Sequence, residues 1–200
     1  MFEQLGLIGC GLMGGSFALA CKRAGLVKQV VGYSKSPTTT AKARQLGVID
    51  VEAPSALLAV SGADIVLVAV PVSATENTFK AIRNLVGIKT LLMDVGSTKS
   101  DVVAAAQRVL RDHLTGFVPA HPIAGKEVAG VEHADAGLYE NRQGILTPTA
   151  HTSPPHADRA EQPEPLGLAS DEHDHRQPRA ERRRLPRPAI AGEGQHQPQR

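Results

Sequence analysis

In the stretch AHPIAGKEVAGVEHADAGLYENR, residues 120–142, a histidine is followed directly by a proline and then by two glycines, Gly125 and Gly130. Imidazole exchanges protons near neutral pH, so a histidine fixed at a cleft is a candidate for acid–base work. The ring of Pro122 steers the residue before it towards extended backbone and removes an amide donor, which breaks any helix at this point. His121 is therefore expected at the end of a strand or in a loop, where side chains that do chemistry are often carried. Taken alone, it reads more readily as a buried, hydrogen-bonded structural histidine.

Two further clusters bear on that choice. Gly9-Cys10-Gly11-Leu12-Met13-Gly14 fits G-x-G-x-x-G between an apolar run and a helical stretch. The first glycine permits a tight turn, the second lets backbone approach a pyrophosphate, and the third lets helix and strand pack closely. The alternative is a glycine-rich turn without a ligand. A second strand, QVVGYS, should end beside the adenosine ribose of a bound dinucleotide, where NAD enzymes typically offer an acid. Ser34 and Lys35 stand there instead. A neutral Ser34 leaves room for a 2′-phosphate and Lys35 attracts one, so NADP is favoured over NAD, unless Lys35 is only a solvated charge. The junctions VAVPVSAT, with Val70 and Pro71, and DVGSTKSD, with Ser97, should open at the same carboxyl edge of a sheet. Thr98 and Asp101 read as a capping box, which leaves Ser97 free.

The elements that must hold these residues alternate along the chain. Leu5 to Ile8 reads as a strand, followed by a helix ending near Gly25. QVVGYS is a strand, PTTTAKARQLG a helix and ADIVLVAVP a continuous apolar strand. A helix over Ala74 to Leu85, the strand KTLLMDV, a helix from Ser100 to Asp112 and the short strand GFVPA lead to His121. Continuous apolar strands suit a parallel sheet covered on both faces, and the alternation predicts a Rossmann-type, doubly wound α/β domain. GILTP, residues 144–148, adds an edge strand.

Composition sets the outer limits. The formal net charge of +2 is too small to imply a nucleic-acid partner. Cys10 and Cys21 are the only cysteines and their spacing does not suit zinc; no metal is expected, and the compartment should be reducing. No apolar run reaches membrane length and no basic leader opens the chain, so a cytoplasmic protein without a membrane partner is expected. From His151 onward there is no aromatic residue, and eight of the 14 prolines lie there.

With the glycine loop, AVPVSAT, DVGSTK and HPIAGKEVAGVEHA in this order, the sequence resembles the prephenate/arogenate dehydrogenase family of tyrosine biosynthesis, over Leu5 to about Thr152. The resemblance implies NAD(P)-dependent oxidative decarboxylation of prephenate or arogenate, the small-molecule partner. It places the family's ring-hydroxyl histidine at His121 and the adjacent serine at Ser97. His121 is then the base that takes the hydroxyl proton, and Ser97 orients His121 or the hydroxyl. Lys126 and Glu127 either line that pocket or are solvated loop charges. His113 and His133 are assigned to the surface.

After about Ser153 the pattern departs from the family. The helical domain with its dimer contacts, a segment of the SHLPH type and a carboxylate-binding arginine are not found, so a family-type homodimer is expected only where that domain is present. Residues 1–152 are expected as the dinucleotide-binding domain and 153–200 as a disordered proline- and arginine-rich tail, most simply a shifted reading frame and alternatively an interaction arm. Glu172-His173-Asp174-His175 reads as a solvated charged run. Two other functions stay open: a dinucleotide-binding module without turnover, and a β-hydroxyacid dehydrogenase, which shares the glycine loop and leaves HPIAG unexplained.

Overall fold

A computed structural model of the chain describes residues 1–161 and 168–169. Six strands, β1 (Phe2–Ile8), β2 (Val27–Tyr33), β3 (Val51–Glu52), β4 (Ile65–Val68), β5 (Leu91–Asp94) and β6 (Phe117–Val118), form one parallel sheet in the order β3-β2-β1-β4-β5-β6. β1 lies at the centre, with Leu5 opposite Val30 of β2 and Ile65 of β4. The strand order reverses beside β1, and that crevice is where open α/β sheets take their ligands. Helices α1 (Leu12–Arg23), α2 (Pro37–Gln45), α3 (Ala56–Val60), α4 (Val72–Ile82) and α5 (Lys99–Leu110) make the connections.

Both faces of the sheet are covered, which is why its inner strands read as unbroken apolar runs. β4 and the Leu91–Met93 part of β5 are buried at every position. On one face Phe17 of α1 meets Tyr139 edge-on, with centroids 6.3 Å apart. On the other, Phe79 of α4 meets Phe117 of β6 at 5.5 Å. Each such ring, fully buried, contributes roughly 1.5–3 kcal/mol by removal of apolar area from water. The short pair β3 and α3 was not legible in the sequence; α3 starts at Ser55, whose hydroxyl accepts from the Leu58 amide at 3.2 Å.

The expected strand GFVPA is split. β6 stays in the parallel sheet, whereas β7 (Ala120–Pro122) leaves it and pairs antiparallel with β8 (Arg142–Leu146), His121 standing opposite Ile145. Pro119 marks the break. It has no amide to donate to a ladder, and its carbonyl accepts from the Thr147 amide at 2.9 Å. The strand expected at GILTP therefore belongs to a second small sheet, β7-β8-β9, with β9 at Leu168–Ala169.

The segment expected as a tail from Ser153 instead begins with a helix, α6 (Pro154–Glu161). Two prolines look like breakers, yet a helix's first turn needs no intrahelical amide donor, so Pro154 and Pro155 are tolerated there. α6 docks under the amino-terminal ends of β5 and β6. Arg159 lies 5.0 Å over the Phe2 ring and donates to the Lys89 carbonyl at 2.8 Å, and Ala160 is buried. His156 is buried too, its Nδ1 2.6 Å from the Ser153 hydroxyl, and burial pulls its pKa below the ordinary histidine value. His113, expected at the surface, is half-buried with Nδ1 enclosed, while His133 is exposed. Among the described residues no helix is long and apolar enough to cross a membrane, and no cluster of three or more potential metal ligands occurs. The acidic histidine run at 172–175 and the basic stretch near 182–184 lie outside the described residues.

Candidate functional site

The glycine loop connects β1 to α1 at the crevice. Gly9 has φ +95°, a conformation that strains any residue with a Cβ, and an added Cβ would strike the Ala69 carbonyl at the end of β4. Gly14 has no room either, because a Cβ there would meet the Gly9 carbonyl and the Ala69 methyl. Gly11 differs: nothing lies within 4 Å of a Cβ built on it. It is also the N-cap of α1, whose first turn holds no acid. The opening amides of a helix have no intrahelical acceptor and carry positive potential. An open approach to those amides through Gly11 fits an anionic pyrophosphate. Cys10 faces inward, fully buried, and burial raises its pKa; Cys21 is pushed up to about 12. Neither thiol is a nucleophile.

Ser34 follows β2, and its hydroxyl accepts from the Cys10 amide at 2.8 Å. Its own amide donates to the Thr40 hydroxyl at 3.0 Å. Besides standing where a ribose acid is usual, Ser34 thus fastens the glycine loop, a role not read from the sequence. Lys35 is exposed and makes no hydrogen bond among the described residues. Val70 and Pro71 follow β4 on the opposite lip, Pro71 serving as N-cap of α4.

Ser97 and His121 come to the same carboxyl edge by way of β5 and β6. Ser97 is exposed and His121 half-buried, and no hydrogen bond joins them among the described residues. At the end of β5 stands Asp94, 1% exposed. One carboxylate oxygen accepts from the Gly96 amide at 2.8 Å and pairs with Lys99; the other accepts from the Ala120 amide at 3.3 Å. Lys99 also donates to the Ala120 carbonyl at 2.6 Å. Desolvation pushes the Asp94 carboxyl up and the Lys99 ammonium down from their ordinary values, while each charge draws the other back.

The expected capping box does not form. Thr98 occupies the N-cap of α5 with extended backbone, but its side chain makes no cap hydrogen bond, and the next residue, Lys99, turns inward to Asp94. The buried carboxylate competes successfully for this turn because removing it from water demands a charged partner.

Comparison with known proteins agrees with this arrangement. A profile of the nucleotide-binding domain of prephenate dehydrogenase matches residues 17–162. The chain belongs to the prephenate dehydrogenase family. It is 40% identical to the prephenate dehydrogenase of Bacillus subtilis over 154 residues, covering 76% of this chain and 41% of that protein. It is 36% identical over 152 residues to the cyclohexadienyl dehydrogenase of Zymomonas mobilis, covering 76% and 51%. The crystal structure of prephenate dehydrogenase from Aquifex aeolicus in complex with hydroxyphenyl propionate and NAD+ superposes with TM-score 0.79 at 31% identity, over 86% of this chain and 59% of that one. The chain thus spans about half the length of the curated relatives it matches.

In this domain the segment after His121 is strapped to the helix of the glycine loop. The Tyr139 hydroxyl, buried and with its pKa raised by that burial, donates to the Met13 carbonyl at 2.7 Å. The Ser16 hydroxyl accepts from the Asp135 amide at 2.9 Å, and Arg23 reaches the Ala136 carbonyl and Glu140. Lys126 is exposed and pairs with Asp135 at 3.0 Å; the Gly137 amide, and then Lys126, hold that carboxyl below its ordinary value. Glu127 is exposed with no hydrogen bond among the described residues. Asp94, the turn of Lys99 towards it, and the strap made by Tyr139 were missed, although Lys99 itself was expected at the crevice. The DVGSTK motif contains Asp94 and Lys99, but their contact with Ala120 spans over twenty residues and leaves no local signal.

Proposed function

We propose that the complete protein is a nicotinamide-dependent dehydrogenase that oxidatively decarboxylates prephenate or arogenate, with this chain supplying the dinucleotide site, the base His121 and its neighbour Ser97. The observation that carries this reading is the convergence of His121 and Ser97 on the sheet edge where Gly11 leaves the start of α1 open. The pyrophosphate would lie against the amides of the α1 first turn, between the Ser34–Lys35 and Val70–Pro71 lips. When bound, the dinucleotide supplies a hydride acceptor. His121 takes the proton of the ring hydroxyl as the carbinol carbon gives up its hydride. The ring oxygen recovers a proton as carbon dioxide leaves and the ring aromatises. Ser97 steers the hydroxyl or the imidazole, and Lys126 and Glu127 sit on the loop bordering the pocket.

Fused to a family-type C-terminal domain, the chain is expected to generate reduced cofactor with prephenate, arogenate or both, followed by absorbance. The 200-residue chain alone is expected to bind the dinucleotide without measurable turnover. Ile123 and Ile145, flanking His121, are 47% and 40% exposed, which leaves the pocket open to water. Absence of turnover in the fused protein with both substrates rejects the reading. The family-type homodimer belongs, on this proposal, to the complete protein.

For the cofactor, NADP is expected to bind at least as well as NAD. Ser34→Asp still offers an oxygen to the Cys10 amide, so it keeps the loop fastened while repelling a 2′-phosphate. Calorimetric titration of both cofactors should show preference moving towards NAD by on the order of tenfold, about 1.4 kcal/mol. A clear preference for NAD in the unmodified chain contradicts this assignment.

A further inference from the structure

We propose that Asp94 and Lys99 act together as positioning residues that set His121 and Ser97 relative to one another. This rests on the roles given to His121 and Ser97 above. The pair does not touch either side chain. It holds the backbone one residue before each: Asp94 accepts from the amide of Gly96, which precedes Ser97, and from the amide of Ala120, which precedes His121. Lys99 closes the bracket by donating to the Ala120 carbonyl, so both polar groups of Ala120 are engaged by one ion pair.

The location gives the bracket its purpose. β6 pairs with β5 through only two residues, Phe117 and Val118, and the chain then leaves the sheet at Pro119. Beyond that break, among the described residues, no ladder hydrogen bond ties β7 to the parallel sheet, and β7 pairs with β8. The Asp94–Lys99 bracket adds a direct tie between the strand bearing His121 and the strand after which Ser97 follows. A buried ion pair is a poor device for stability alone, because desolvation offsets much of the attraction. Its directional hydrogen bonds to two separate backbone segments make it a good device for fixing their spacing.

The test uses the 200-residue chain with histidine ring signals followed by NMR, His121 being identified by loss of its signal in H121N. In the double variant Asp94→Asn with Lys99→Met, which removes both charges together, dinucleotide affinity is expected to stay within about threefold, since the glycine loop is held by Ser34. The His121 ring signals are expected to shift and broaden. A folded double variant whose His121 signals match those of the unmodified chain in position and width overturns the proposal. If the variant fails to fold, amide exchange in the unmodified chain decides. Gly96 and Ala120 amides that exchange slowly support the bracket, and exchange at the rate of exposed loop amides overturns it. Failure of prephenate and arogenate turnover rejects the proposed function without altering these signals, so the two ideas fail separately.

Discussion

In the protein carrying a family-type C-terminal domain, His121→Asn is expected to lower turnover by roughly two to four orders of magnitude, the range for a lost general base, or about 2.7–5.4 kcal/mol of barrier. Dinucleotide affinity is expected to change little, because the glycine loop lies between β1 and α1 and is fastened by Ser34. Asparagine keeps a polar group of similar reach but cannot take the proton. Steady-state kinetics separate the outcomes: a fall in kcat with little change in KM for the cofactor identifies the base. Loss of cofactor binding would instead make His121 a structural residue of the small β7-β8 sheet.

Gly11→Ala is expected to damage the opposite half of the site. Its backbone, at φ −78°, accepts an L-residue, and an added methyl meets nothing in the protein, so stability should change by less than about 1 kcal/mol. That methyl would occupy the path by which a pyrophosphate reaches the first amides of α1. Affinity should fall on the order of tenfold or more. Gly14→Ala reverses the pattern. A Cβ there presses on the Gly9 carbonyl, and the cost, roughly 1–3 kcal/mol of overpacking, falls on the fold itself. Thermal melting and cofactor titration of the two variants distinguish a ligand-facing glycine from a packing glycine. Equal behaviour of the pair contradicts this division.

The parts of the site legible in the sequence were those whose chemistry is local. The Gly9–Gly14 run states a turn, an approach and a packing contact within six residues, and HPIAG states a helix break beside a histidine. The parallel sheet was legible for a related reason: strands buried on both faces, such as Ile65–Val68, leave unbroken apolar runs. Long-range relations were not legible. Nothing near Asp94 announces that it serves Ala120, and nothing near Ser34 announces that it accepts from Cys10. The split at Pro119 was missed because GFVPA reads as one strand unless the partner of Thr147 is known. Pro154 and Pro155 misled in the other direction, since a proline pair after a loop reads as irregular chain until a buried His156 and Ala160 show a docked helix.

Dinucleotide binding by this chain on its own is decided by calorimetric titration of NADP+ and NAD+ into the unmodified 200-residue protein. Saturable binding with a stoichiometry of about one is expected, at least as tight for NADP+ as for NAD+, and weakened by Gly11→Ala without loss of fold. A folded protein that takes up neither dinucleotide would contradict it.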